Sequence, residues 1–319
     1  MCGSSMSAGI SHNSAGSGRL RVGGVAFRGF HPQSVDDNAS ANGHFSGMKF
    51  GICNEIFQDW KIEDTFHYAA KAGYDFVEIA PFTLAGSVTE ISPARRSELR
   101  DAAARAGLGI SGLHWVLVKT EGLHLTSPDA AVRQRTSRYF TELVDCCADL
   151  GGTRIVLGSP KQRNVGEGIA YEQAWDWAVE TLRAAVKRAE DRGVVICFEP
   201  LAPVETNFVN TAAEGIRFAA QFASPAMSII LDVKAMSAEE KPIPQIIRES
   251  AGKFEYFHAN DRNLKGPGFG EVDFRPIAAA LRDARYDGVV SVEVFDFTEG
   301  PEVIATKSIE YLREAFRVP

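Results

Sequence analysis

The chain is poor in cysteine, has no long apolar run and carries no excess of positive charge. Five of its 319 residues are cysteine: Cys2, Cys53, Cys146, Cys147 and Cys197. None stands in the close pairs typical of structural zinc. Cys146 and Cys147 adjoin on an expected helix and so face different ways. Free thiols in a reducing compartment are the expectation, and a cytoplasmic location follows from it. No stretch reaches the roughly 18 apolar residues of a membrane helix, so no membrane partner is expected. The formal net charge of −7 argues against a nucleic-acid footprint over the whole surface. What is present is ordinary core material: 45% hydrophobic and 24% charged residues, enough for one large domain.

Residues 1–47 differ from all that follows. "MCGSSMSAGISHNSAGSG" and "DDNASANGHFSG" are rich in Gly, Ser and Asn and show no periodicity. Such a segment buries too little apolar area to offset its ordering entropy, and it lacks the apolar stretch of a secretory signal. It reads as a disordered extension, or as sequence upstream of the true start. Met48 opens a strand at once, so the folded domain is expected to span 48–319.

From Met48 onward one unit recurs, a short β-branched or aromatic run followed by an amphipathic helix. The runs are "MKFGIC" (48–53), "DFVEIA" (75–80), "GISGLHW" (109–115), "TRIVLG" (153–158), "VVICFE" (194–199), "SIILDV" (228–233), "FEYFH" (254–258) and "VVSVEVF" (289–295). Most are nearly continuous in apolar residues, as strands buried on both faces of a parallel sheet are. Between them, "YEQAWDWAVETLRAAVKRAEDRG" sets Ala174, Ala178, Leu182, Ala185 and Ala189 on one helix face and stops at Gly193. Ser127 with Pro128, then Asn210, then Asp273 are the expected starts of three further helices. Eight strands alternating with helices over this length predict a (β/α)8 TIM barrel. A doubly wound sheet is the alternative, but "GICNEIFQDW" after the first strand offers no glycine fingerprint for it.

Barrel chemistry sits at the C-terminal ends of the strands. The fifth run ends in Glu199, the sixth in Asp232 and the seventh in His258, and the eighth carries Glu293. Singly, each reads as a solvated or hydrogen-bonded rim residue. As a set, three carboxylates in an apolar mouth repel one another unless a cation neutralises them. Oxygen donors with one imidazole suit Mn²⁺, and Mg²⁺ or Co²⁺ after it, better than a thiolate site would.

With "FEPL", "HANDR" and spacings of 33, 26 and 35 residues from Glu199 through Asp232 and His258 to Glu293, the chain resembles the xylose isomerase-like barrels of the sugar phosphate isomerase/epimerase group. Within that group it is most similar to the ketose 3-epimerases and the hydroxypyruvate isomerases. The resemblance covers 48–319. It implies that Glu199, Asp232, His258 and Glu293 ligate a divalent metal and that Glu199 and Glu293 form the acid/base pair. It further implies that Glu205 supports the first carboxylate and that Arg262 contacts the substrate. A homo-oligomer built through the barrel helices is also implied. One departure stands out: the family pattern has a histidine three residues after the sixth-strand aspartate, and here "DVKAM" puts Ala235 there, beside Lys234. This weakens transfer of free-ketose 3-epimerase activity and leaves room for a related acyloin, keto-acid or cyclitol.

The implied chemistry is sound. A metal chelated by a carbonyl and a neighbouring hydroxyl acidifies the C–H between them and stabilises the enediolate. Proton return to the opposite face gives epimerisation; return to the next carbon gives isomerisation. The expected activity is therefore metal-dependent isomerisation or epimerisation of a sugar or polyol. The alternatives are a dehydratase of the inosose or dehydroshikimate type and a non-catalytic sugar-binding barrel. Among other rim residues, Lys161 and Arg163 in "GSPKQRN" are candidates for a substrate anion. His114 with Trp115 is a candidate substrate contact. Glu55 and Glu78 could bind substrate hydroxyls or cap helices.

Overall fold

The computed structural model describes residues 47–317. The expected extension, Gly47 apart, lies outside the described residues. Eight parallel strands close in sequence order into one barrel. They are β1 (Lys49–Cys53), β2 (Phe76–Ile79), β3 (Gly109–Leu113), β4 (Arg154–Leu157), β5 (Val195–Phe198), β6 (Met227–Asp232), β7 (Phe254–Ala259) and β8 (Val289–Val292). Between and after them run α1 (Ile62–Ala72), α2 (Pro93–Arg105), α3 (Ala130–Asp149), α4 (Tyr171–Arg192), α5 (Ala212–Ala219), α6 (Val233–Met236), α7 (Ile243–Glu249), α8 (Phe274–Asp283) and α9 (Pro301–Ala315). The barrel read from the sequence is the barrel observed. No helix among the described residues is long and apolar enough to cross a membrane.

The alternation of strand side chains builds two cores. On β5, Ile196 and Phe198 point outward to the helices, and Cys197 points into the barrel. Ile229 and Leu231 of β6 and Phe257 of β7 likewise face outward, while Ile230 and Tyr256 turn inward. Val156, Cys197, Ile230 and Tyr256 thus form a small apolar plug inside the barrel. The next inward positions, two residues on, are Gly158, Glu199, Asp232 and His258.

The helix boundaries follow local chemistry. α4 buries Ala174, Ala178, Leu182, Ala185 and Ala189, and Gly193 ends it at φ +67°. The expected cap Asp273 accepts from the Arg275 N–H at 3.0 Å. Two other starts differ from expectation. Asp129, not Ser127, caps α3 by accepting from the Ala131 N–H. Thr211, not Asn210, caps α5 by accepting from the Glu214 N–H. The Asn210 side chain instead donates to the Leu201 and Thr206 carbonyls, and that competition moves the cap by one residue.

Candidate metal and acid–base site

Period-two alternation brings the four strand-end residues to one point. Asp232 and His258 are direct neighbours across β6 and β7. Glu199 and Glu293 each continue the barrel ladder by one residue, through Glu199 N–H to the Leu157 carbonyl and Glu293 N–H to the Ala259 carbonyl. One donor atom from each of Glu199, Asp232, His258 and Glu293 lies within 4.8 Å of the others, and all four residues are buried. Gly158 makes room for them: a Cβ there would overlap the Glu199 carboxylate.

The electrostatics of this cluster call for a cation. Burial, then Glu293 and Asp232, push the Glu199 carboxyl well above its usual range. Burial and Glu293 lift Asp232 to about 6. Burial works against charge on His258, yet Glu293 and Glu78 draw a proton onto it. Burial likewise opposes charge on Glu293, but His258 beside it holds that carboxyl below its usual value. His258 Nδ1 is buried, makes no hydrogen bond, and lies 3.2 Å from Glu293 Oε2. A buried imidazole nitrogen with no hydrogen bond, set against crowded carboxylates, is the donor set of a hard to borderline divalent ion, so the residues fit a metal.

A second layer lies beneath. His258 Nε2 is 3.1 Å from Glu78 Oε2, the carboxylate–imidazole contact that fixes a ligating histidine's ring and tautomer. His114 Nε2 meets Glu55 Oε2 at 2.5 Å. Asn260 Nδ2 donates to Asp232 and to Glu293. The sequence alone leaves the roles of Glu55 and Glu78 open, and nothing in it singles out Asn260.

A family model described as the xylose isomerase-like TIM barrel matches residues 66–315. The chain belongs to that family. It is 30% identical over 253 residues to the D-psicose 3-epimerase of Ruminiclostridium cellulolyticum, covering 78% of this chain and 84% of that one. It is 29% identical over 258 residues to the D-psicose 3-epimerase of Agrobacterium fabrum, covering 79% and 87%. A crystal structure of D-psicose 3-epimerase with D-tagatose from Clostridium cellulolyticum H10 superposes with a TM-score of 0.75 at 25% identity, covering 85% of this chain and all of that one.

In this xylose isomerase-like barrel a cavity of about 370 Å³ opens above the cluster. Glu199, Glu293, Glu205, Lys161 and Trp115 line it, so most of the residues read from the sequence come together. His114 does not join them: it is fully buried below, paired with Glu55. Arg262 does not either. Asp261 turns inward, with its N–H on the Lys265 carbonyl and its carboxylate on the Val272 N–H. Arg262, next in the chain, is thereby exposed and lines a separate groove with Pro242 and Glu271. Arg163 is not a solvated loop cation. It is fully buried, its guanidinium 4.8 Å from the Phe198 ring centroid, with Nε and Nη2 unpartnered. Burial brings its pKa down to about 10, against the opposing pull of Glu199 and Glu205.

At the departure from the family pattern, Ala235 donates its N–H to Asp232 Oδ1 at 2.7 Å. Lys234 reaches the cavity instead, with Nζ 2.7 Å from Glu205 Oε1 and 4.1 Å from the Phe295 ring centroid.

Proposed function

We propose that this chain is a divalent-metal-dependent ketose epimerase that works by proton transfer at the carbon next to a carbonyl. The observation that carries the reading is the buried convergence of Glu199, Asp232, His258 and Glu293, with one donor atom of each within 4.8 Å of the others. Those four residues would hold the ion, Mn²⁺ first and Mg²⁺ or Co²⁺ after it by donor chemistry. When bound, the ion supplies Lewis-acid polarisation of the substrate carbonyl and hydroxyl.

The chain's own residues do the rest. Glu199 and Glu293 project from β5 and β8, with the cavity above them. One carboxylate takes the proton from one face of the carbon and the other returns a proton to the opposite face, which inverts the centre. Each turnover leaves the two carboxyls with exchanged protonation, and the open mouth lets solvent restore them. The Lys234–Glu205 pair offers a donor and an acceptor for substrate hydroxyls on the cavity wall. Lys161 lies on the same wall for an oxygen-rich far end. Glu78 holds the His258 ring, and Trp115 and Phe295 give the wall its apolar face. The similarity to D-psicose 3-epimerases supports ketoses as the first substrates to try. Ala235 at the family's histidine position, with Lys234 beside it on the cavity wall, leaves room for a related acyloin, keto-acid or cyclitol.

The test is incubation of the Mn²⁺-loaded protein with D-psicose, D-fructose and D-tagatose in D₂O. Deuterium at the carbon next to the carbonyl, with inversion and no loss of water, is the expected result. Loss of water instead assigns a dehydratase. Absence of exchange, together with no Mn²⁺ binding by calorimetry, overturns the reading.

A further inference from the structure

Trp115 has an unusual backbone and a partner that explains it. It follows β3 by two residues and adopts φ +50°, a left-handed conformation that costs a bulky side chain about 1–3 kcal/mol. The turn aims the indole across the barrel mouth, where Nε1–H donates to Glu293 Oε1 at 2.8 Å. Two aromatic rings stack with the indole. Phe82 lies nearly parallel to it at 6.0 Å and 18°, and Phe295 at 5.8 Å and 24°. Lys119 Nζ lies over the Phe82 ring and Lys234 Nζ over the Phe295 ring. Stacked rings and the cations over them therefore hold one N–H group against one carboxylate oxygen.

The two oxygens of Glu293 have different surroundings. Oε2 lies 3.2 Å from His258 Nδ1 and accepts from Asn260. Oε1 belongs to the indole. The Glu199 carboxylate accepts no side-chain hydrogen bond from any described residue. We propose that Trp115 is a positioning residue: its N–H fixes the Glu293 side chain so that Oε2 stays among the ligand atoms and Oε1 is presented at the cavity wall for proton transfer. A carboxylate oxygen has two lone-pair directions, so Oε1 can hold the indole and still take a proton. This rests on the reading of Glu293 as an acid–base group.

Trp115→Phe keeps one aromatic ring in the stack and removes the N–H together with the five-membered ring that carries it. In the Mn²⁺-loaded protein, the rate of deuterium exchange into the ketose is expected to fall about 10- to 100-fold at a KM changed less than about twofold. A variant that exchanges at the wild-type rate overturns the proposal. A second readout needs no activity: in protein labelled with ¹⁵N-tryptophan, the indole resonance missing from Trp115→Phe is that of Trp115. Glu293→Ala is expected to move this resonance upfield more than the other indoles; an unmoved resonance overturns the hydrogen bond and the proposal with it. Should the wild-type protein exchange no ketose, the functional reading falls, and the indole resonance alone decides whether Trp115 holds Glu293. If Trp115→Phe does not fold, the resonance is assigned instead by its absence from Trp115→His.

Discussion

The two halves of the barrel bury acidic residues in different ways. β5 to β8 each deliver one candidate ligand to the cavity floor, and these carboxylates crowd one another. β1 to β3 and the turns after them supply Glu55, Glu78 and His114, already joined to a partner: Glu55 with His114, Glu78 with His258. Carboxylates that still crowd one another, although Asn260, Trp115 and the Ala235 N–H bond to two of them, mark the half proposed to act on something from outside. Carboxylates already in pairs mark the half that holds the first in place.

The contrast can be broken experimentally. The largest effect is expected for Glu199→Gln or Glu293→Gln, which remove a carboxylate of the proposed acid–base pair: exchange in D₂O falls about 10²- to 10⁴-fold while circular dichroism stays unchanged. On the proposed metal-dependent reading, a chelator should give a comparable loss, reversed by added Mn²⁺. Next comes Glu78→Gln, which leaves the cavity intact and loosens the His258 ring. Mn²⁺ affinity by calorimetry should weaken about 10- to 100-fold. Wild-type affinity there would erase the division of labour between the halves. Lys234→Met tests the departure from the family pattern. Removing one charged hydrogen-bonding group from the wall should raise KM about tenfold with little change in kcat. The smallest effect on catalysis is expected for Glu55→Leu, which removes the partner of His114 Nε2 in the interior and leaves only the longer contact with Glu78. Its cost falls on stability, about 3–5 kcal/mol, read as a lower midpoint in denaturant, while Mn²⁺ affinity changes least of the set.

The same contrast separates what was readable beforehand from what was not. Glu199, Asp232, His258 and Glu293 stand at the ends of apolar runs, and alternation in a strand fixes the face of each. Their convergence therefore followed from the barrel order. Glu55 lies in a turn after β1, so no periodicity sets its direction. Glu78 lies inside β2 and faces inward, but only the closed barrel shows that the residue across from it is His258. Lys234 and Ala235 adjoin on a short helix, where successive side chains diverge by about 100°; which one enters the cavity could not be read from "DVKAM". Arg262 and Arg163 both sit in loops beside the mouth. One inward hydrogen-bonded aspartate turns Arg262 out, and packing on Phe198 draws Arg163 in.

By itself, the amino-acid sequence determined the repeating strand and helix pattern, the barrel order and the four strand-end groups, because these depend on periodicity along the chain. The tertiary structure alone decided which side chains from loops and turns enter the cavity. It also decided which carboxylates find partners, and it turned Trp115 across the mouth onto Glu293. Those outcomes depend on contacts between distant strands and on local backbone angles, which exist only once the barrel has closed.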